Sequence, residues 1–320
     1  MKVNARLKWE KTDSEVGENV DWEFVDRVTA VAKALWYDLV DVTVDDIHSD
    51  NLSRWGPGSF SHSTELSNIQ GKVYSASEYK ALPGAIVGDC SEKQRPYAVH
   101  FLPYPHYKPG KWEFNPITCN VEWVDLPLTF VNDVEDSEYC VVPKDSRGPR
   151  VIVKEPVHAL RSQLLYFDYF SSALERVTQR RVNFVDQGIN QRLAQQSSID
   201  RKYATLDLSE ASDRVPSRVA YRVFNDFPGL SYFLCEFRTP KVFEREGFSI
   251  TDPVVSIKKL AGMGSGLTFA TMAALIHLSI VTGVFSQSRL KFKIRPVMDL
   301  TALQEIARNV YVYGDDVVVP

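Results

Sequence analysis

Cysteine is scarce in this chain: 320 residues hold four, Cys90, Cys119, Cys140 and Cys235, with no Cys-x-x-Cys pair. That spacing suggests neither a zinc site nor a disulfide framework, and it fits a reducing cytoplasm. No Walker phosphate loop is present. The Gly262-x-Gly264-x-Gly266 run has Leu267 where a dinucleotide-binding loop needs its last glycine, so both common nucleotide-cradling loops are excluded. No apolar run follows Met1-Lys2-Val3-Asn4-Ala5-Arg6, which predicts no secretory signal. The longest apolar stretch, Phe269 to Phe285, is broken by His277 and falls short of the roughly 20 residues a bilayer needs. It predicts a buried core helix and no membrane partner. Internal repeats and low-complexity tracts are also missing.

What is present is enough apolar material, 44% of residues with 12% aromatic, to build a large core divided into two or three subdomains. The net charge of −4 is unevenly spread. Residues 1–143 hold 13 Lys/Arg against 23 Asp/Glu, residues 144–202 hold 11 against 6, and residues 203–320 hold 13 against 12. A basic middle segment suits a groove for phosphates, and it equally suits a solvated charged face.

Apolar spacing predicts an amphipathic helix from about Trp22 to Leu39. From Gly56 to Pro116, glycine, proline, tyrosine and tryptophan predict long loops and short strands, whose aromatics either stack on bases or pin loops to a core. Cys140-Val141-Val142 and Val151-Ile152-Val153 flank a basic stretch from Lys144 to Arg150 and read as a β-hairpin with a charged tip, followed by a helix opened by Glu155-Pro156. Tyr203 to Leu206 reads as a short strand ending on Asp207, Pro216 to Phe227 as a helix, and the runs Val310–Tyr313 and Val317–Val319 as a hairpin turning at Gly314-Asp315.

Four places carry chemistry. Asp315 and Asp316, adjacent at a hairpin tip, repel each other unless a cation lies between them, and Asp207 supplies a third carboxylate. Such a trio suits two Mg²⁺ ions, with Mn²⁺ as a possible substitute, about 3.5–4 Å apart, the arrangement of in-line phosphoryl transfer. In Asp207-Leu208-Ser209-Glu210-Ala211-Ser212-Asp213, Asp207 is expected to face the metals and Asp213 to accept a hydrogen bond from a ribose 2′-hydroxyl. The glycines of the Gly262–Gly266 turn, Gly264 and Gly266 among them, permit close backbone approach to nucleic acid, and Ser265 and Thr268 offer hydroxyls to sugar or template. Lys144, Arg147, Arg150 and Lys154 on the hairpin suit a triphosphate tail and departing pyrophosphate. Each place alone has an ordinary reading as a turn, a helix cap, a structural loop or surface decoration. Their joint occurrence in this order carries the argument.

The stretch from about Val142 to Pro320 resembles the replicase β subunit of small positive-strand RNA bacteriophages, the leviviruses of the Qβ kind. The resemblance rests on Val142-Pro143-Lys144, Arg150 with Glu155-Pro156, Asp186-Gln187 with Ile189-Asn190-Gln191, Ala204 to Ser209, Met263-Gly264 with Gly266, and Tyr313-Gly314-Asp315-Asp316. Ser265 stands where that pattern leads one to expect Asn. The resemblance implies an α+β right-hand polymerase, with an N-terminal, mainly helical, fingers-associated region at 1–85, fingers at 86–202 including the basic hairpin 140–156, and an antiparallel-sheet palm at 203–320. It implies catalytic, metal-binding roles for Asp207, Asp315 and Asp316, nucleotide contacts from Lys144, Arg147, Arg150, Lys154, Asp213, Ser265 and Thr268, and RNA contacts from Gly264, Gly266, Asn190 and Gln191. Template and product RNA, ribonucleoside triphosphates, elongation factors Tu and Ts and a ribosomal protein are the implied partners, in the cytoplasm of an infected bacterium.

A reverse transcriptase shares the palm and paired aspartates, but Asp213 stands where such an enzyme usually has a bulky aromatic. A non-catalytic RNA-binding protein of polymerase fold would not need all three aspartates. The sequence stops four residues after Asp316, so the expectation is a C-terminally incomplete catalytic subunit without a thumb.

Overall fold

The computed structural model describes residues 2–44, 46–47, 110–115, 120–125, 136–145, 148–246, 249–250, 254–291 and 299–320. The Gly56–Pro116 stretch, apart from its last strand, and Arg147 lie outside them.

Helix α1 (Lys2–Glu15) is polar along most of its length, and Trp9 is a large apolar side chain buried on it. Helix α2 (Trp22–Leu35) starts where Asp21 accepts a hydrogen bond from the Phe24 amide at 2.9 Å, a cap worth about 1 kcal/mol. Its apolar stripe of Val25, Val28, Val31 and Ala32 is buried. The helix ends at Leu35 and a 3₁₀ turn, Tyr37–Leu39, follows, so the expected single helix is two pieces.

Strands β1 (Gly110–Asn115) and β2 (Asn120–Asp125) form an antiparallel pair. Strands β3 (Ser137–Asp145) and β4 (Gly148–Lys154) are the anticipated hairpin, with pairing that runs further toward the tip than the Val-rich segments alone suggest. Helices α3 (Val157–Val177) and α4 (Gly188–Asp200) lead to β5 (Ala204–Asp207). A 3₁₀ turn, Ala211–Arg214, precedes α5 (Ser217–Phe224) and α6 (Pro228–Glu236). Strands β6 (Lys241–Glu246), β7 (Ser249–Ile250) and β8 (Val255–Ser256) join β3 and β4 in a five-stranded mixed sheet, in which β3 and β6 run parallel. Helices α7 (Thr268–Lys291) and α8 (Leu300–Ala307) precede β9 (Tyr311–Tyr313) and β10 (Asp316–Val319), and β10 lies between β5 and β9 in an antiparallel sheet.

Two cores hold these elements. The larger packs α2, α3, α5, α6, α7 and α8 against β9 and β10, and includes Trp36, Tyr166, Phe170, Phe224, Phe233 and Val312. The smaller gathers Trp9 of α1, Tyr139, Val151, Val153, Val242 and Ile257 beneath the mixed sheet. Helix α7 is longer than the apolar run predicted: Thr268–Ser288 is long and apolar enough to cross a bilayer by length and composition. Two thirds of that span is buried within the fold, with Ala270, Ala273, Ala274, Leu278 and Val281 fully covered, so here it acts as a core helix.

His277, midway along α7, is also buried, beside a cavity of about 90 Å³. Its Nε2 lies 3.4 Å from the Ala307 carbonyl, and Nδ1 has no partner among the described residues. Burial pushes its pKa down to about 4, so the folded chain holds it neutral where the unfolded chain protonates near 6.5. Between those values the unfolded state binds the extra proton. The stability His277 contributes is therefore complete above pH 6.5 and is lost as the pH falls toward 4. Urea unfolding of wild type and His277→Gln at pH 7 and pH 4 should differ in acid sensitivity by about 3 kcal/mol, with the wild type losing more; equal sensitivity would contradict this account.

Candidate active site

Strand β5 ends at Asp207, and its antiparallel partner β10 begins at Asp316, so the register sets these two residues directly opposite each other. Gly314 and Asp315 make the two-residue turn between β9 and β10, because Asp316 pairs with Tyr313. Gly314 has φ +62°, a left-handed backbone that favours glycine, and a Cβ there would lie 2.6 Å from the Phe269 ring. The turn is thus seated on α7, and Phe269 also meets Tyr313 edge-on.

A cavity of about 510 Å³ opens beside this turn, within the range of about 300–1,000 Å³ usual for small-molecule sites. Asp207, Asp213, Asp315 and Arg150 line it together. The side chains of Asp207, Asp315 and Arg150 have no hydrogen bond or ion pair among the described residues, although Asp207 and Arg150 are paired through their backbones in β5 and β4. Asp316 is placed differently: it is not among the cavity's lining residues, Gln187 donates to its Oδ2 at 3.2 Å, and Asn190 donates to its carbonyl at 3.1 Å. Among the described residues no three His, Cys, Asp or Glu side chains stand close enough to hold a metal ion. The three aspartates expected as metal ligands are thus placed differently from one another. Two carboxylates face the cavity, and the third is braced by α4.

Other expectations are corrected as well. Ser265 is buried and donates to Gln163 Oε1 at 2.8 Å, and Thr268 is buried and donates to the Gly262 carbonyl at 3.2 Å, so neither hydroxyl is offered to a sugar or template. Gly264 and Gly266 serve close packing within the protein, since a Cβ would lie 2.3 Å from the Val153 carbonyl and 2.6 Å from that of Gln163. Lys154 pairs with Glu138 at 3.0 Å and lies outside the cavity lining. Asn190 is nearly buried and braces β10, which takes it away from RNA. Gln191 is exposed on α4, Lys144 lies in β3, and Arg147 is outside the described residues.

The opposite wall escaped the sequence reading. Ala5, Lys8, Trp9 and Thr12 of α1 line the cavity. Lys8 forms a short ion pair with Glu210, holding that carboxyl below its usual range, and Trp9 Nε1 donates to Asp213 Oδ1 at 3.1 Å. The Lys259 ammonium, fully buried, lies 3.2 Å from the same oxygen. An unpatterned, charged helix gives no periodic signal. Lys259 too looks in sequence like any surface lysine.

A turn bearing two carboxylates, set against a third on the neighbouring strand beside a cavity that Arg150 of the β3–β4 hairpin also lines, makes this a candidate phosphoryl-transfer site. A family model described as RNA replicase, beta-chain, matches residues 124–320, and the chain belongs to that family. The RNA-directed RNA polymerase subunit beta of Escherichia virus Qbeta is 31% identical over 179 residues, 56% of this chain and 26% of that protein. The corresponding subunit of Enterobacteria phage SP is 30% identical over 192 residues, 59% of this chain and 28% of that one. The matched parts span about a quarter of the length of these curated relatives. Among solved structures, the RNA-dependent RNA polymerase of bacteriophage phi12 aligns with 97% of this chain and 50% of its own at 9% identity and a TM-score of 0.41.

Proposed function

We propose that this chain carries the catalytic site of an RNA-directed RNA polymerase that copies a bacteriophage's single-stranded RNA genome in the cytoplasm of the infected bacterium. The observation that carries the reading is the β5–β10 register, which brings Asp207 and the Gly314–Asp316 turn together beside a cavity shared with Arg150 and Asp213.

The donor set fits Mg²⁺. Asp207 and Asp315 offer carboxylate oxygens without partners among the described residues, and Mg²⁺ is commonly held by one or two carboxylates completed by substrate phosphates and water, so a third carboxylate ligand is not required. When bound, two such ions stabilise the charge on the reacting phosphate and acidify the attacking hydroxyl. Asp207 and Asp315 would hold those ions at the cavity, with Asp316 keeping the turn in place through α4. Arg150 meets the triphosphate, where a guanidinium suits phosphate oxygens. Asp213 accepts a hydrogen bond from the ribose 2′-hydroxyl. The 3′-hydroxyl of the growing RNA attacks the α-phosphate, and pyrophosphate leaves.

Residues 203–320 read as a palm, 86–202 as fingers with the basic hairpin, and 1–85 as a helical region associated with the fingers. Template RNA, product RNA and ribonucleoside triphosphates are the proposed ligands, with elongation factors Tu and Ts and a ribosomal protein as proposed host partners. Extension of a primer on an RNA template with Mg²⁺ tests the reading, comparing ribo- and deoxyribonucleotides. Ribonucleotide incorporation is the expected result, and preferential use of deoxyribonucleotides would overturn it.

A further inference from the structure

Lys259 lies in the segment between β8 and α7 with none of its surface exposed. Its backbone is clamped: its amide donates to Asp13 Oδ1 at 3.1 Å, and its carbonyl accepts from Arg238 Nη2 at 2.9 Å. Arg238 also holds the carbonyls of Ile257 and Leu260, at 2.6 and 2.7 Å, so the whole segment is fixed. The ammonium lies 3.9 Å from the centre of the Trp9 ring and 3.2 Å from Asp213 Oδ1.

Burying a lysine here costs stability. Desolvation lowers its pKa, opposed first by Asp213, and an apolar side chain of similar volume would fill the same space without that penalty. Fold stability alone therefore does not account for the ammonium. Its geometry has a more specific consequence. Lys259 Nζ and Trp9 Nε1 both donate to Oδ1 of Asp213, and Oδ2 has no partner among the described residues. A carboxylate held by two donors on one oxygen cannot turn away, and it keeps its other oxygen available to a new donor.

We infer that Lys259 is a positioning residue for sugar selection: together with Trp9 it locks Asp213 through Oδ1 and leaves Oδ2 as the acceptor for a ribose 2′-hydroxyl. This rests on the assignment of Asp213 to the sugar under the proposed function. A site that hydrogen-bonds a hydroxyl discriminates against the analogue without it, because a bound nucleotide that covers the partly exposed Oδ2 without offering a hydroxyl leaves that oxygen unpaired. The discrimination depends on the carboxylate being held still.

The test is equilibrium binding of ATP and 2′-deoxy-ATP, each with Mg²⁺, to the 320-residue chain and its variants by calorimetry. The unmodified chain should prefer ATP by about tenfold or more, the worth of one hydrogen bond to a charged acceptor, and Asp213→Ala should lose that preference. Lys259→Met should bring the ratio down to that of Asp213→Ala, with the loss falling mainly on ATP. A global packing defect would weaken both nucleotides alike and leave the ratio unmoved. If Asp213→Ala loses the preference while Lys259→Met keeps it, the inference is overturned and the sugar assignment stands. If the unmodified chain shows no preference, the sugar assignment itself fails and the inference fails with it. Should Lys259→Met not fold, Trp9→Phe decides, since it removes one N–H donor and keeps a ring over the ammonium: a reduced preference supports the inference, and an unchanged one overturns it.

Discussion

Asp315→Asn should reduce nucleotide incorporation by about 10²–10⁴-fold, the loss expected when several kcal/mol of transition-state charge stabilisation disappear at 1.36 kcal/mol per decade. The substitution is nearly isosteric, and Asp315 is exposed at a turn with no side-chain partner among the described residues, so the unfolding free energy should move by no more than about 0.5 kcal/mol. RNA binding, which draws on charges spread over a larger surface, should persist. Asp207→Asn should behave in the same way, because Asp207 lines the same cavity. Asp316→Asn should cost less in rate: its carboxylate already accepts from Gln187, and an amide oxygen can keep accepting that bond. Rates from single-turnover primer extension, set beside urea unfolding of each variant, would check this order. Equal losses at Asp315 and Asp316 would contradict the division between a residue facing the cavity and one braced by α4, and an unaffected Asp315→Asn would remove the basis for the proposed chemistry.

That division was not available from the sequence, which presents Asp315-Asp316 as a matched pair. The backbone was legible. Val-rich segments around a Gly-Asp dipeptide encode a hairpin, and a short strand closed by Asp207 encodes its neighbour. Both formed, but the antiparallel register that sets Asp207 opposite Asp316 is a tertiary pairing that neither segment encodes by itself. The apolar helix ahead of the hairpin was legible from the length of its apolar run, Phe269 to Phe285, most of which is buried on all sides.

What depends on particular tertiary hydrogen bonds was not legible. Whether Asp316 meets a metal or an amide depends on Gln187, which is delivered to it by a turn in which Asn183 Oδ1 accepts from the amides of Val185 and Asp186. Nothing in the spacing of residues 183 and 316 reveals that encounter. Helix α1 was missed because its docking uses single polar contacts at Lys8, Trp9, Thr12 and Asp13 in place of an apolar stripe. Ser265 and Thr268 were assigned outward for want of any signal that separates a hydroxyl facing substrate from one satisfying the protein's own interior. Gln163, which accepts from Ser265, lies 102 positions away.

The glycine turn supplies the sharpest contrast between the two readings, and with it the second large effect. Gly264→Ala should destabilise the chain by about 3 kcal/mol or more, combining the strain of a backbone only glycine readily adopts with that of an overpacked contact. Gly264 has φ +118°, and its missing Cβ would come within 2.3 Å of the Val153 carbonyl, a backbone atom that cannot rotate aside. The turn is also tied to β4 by the Val153 amide donating to the Met263 carbonyl at 2.7 Å, so relief of the clash requires β4 to move, and Arg150 with it. Gly283 in α7 is the control: a Cβ there meets nothing within 4 Å, so Gly283→Ala should stabilise by about 0.5–1 kcal/mol through helix propensity alone. Urea titrations of the two variants separate packing from recognition. If Gly264 serves close approach of RNA, Gly264→Ala would unfold like wild type and bind RNA less well. If it serves the packing of the turn onto β4, the unfolding midpoint falls first, and any loss at the cavity follows from the displacement of Arg150.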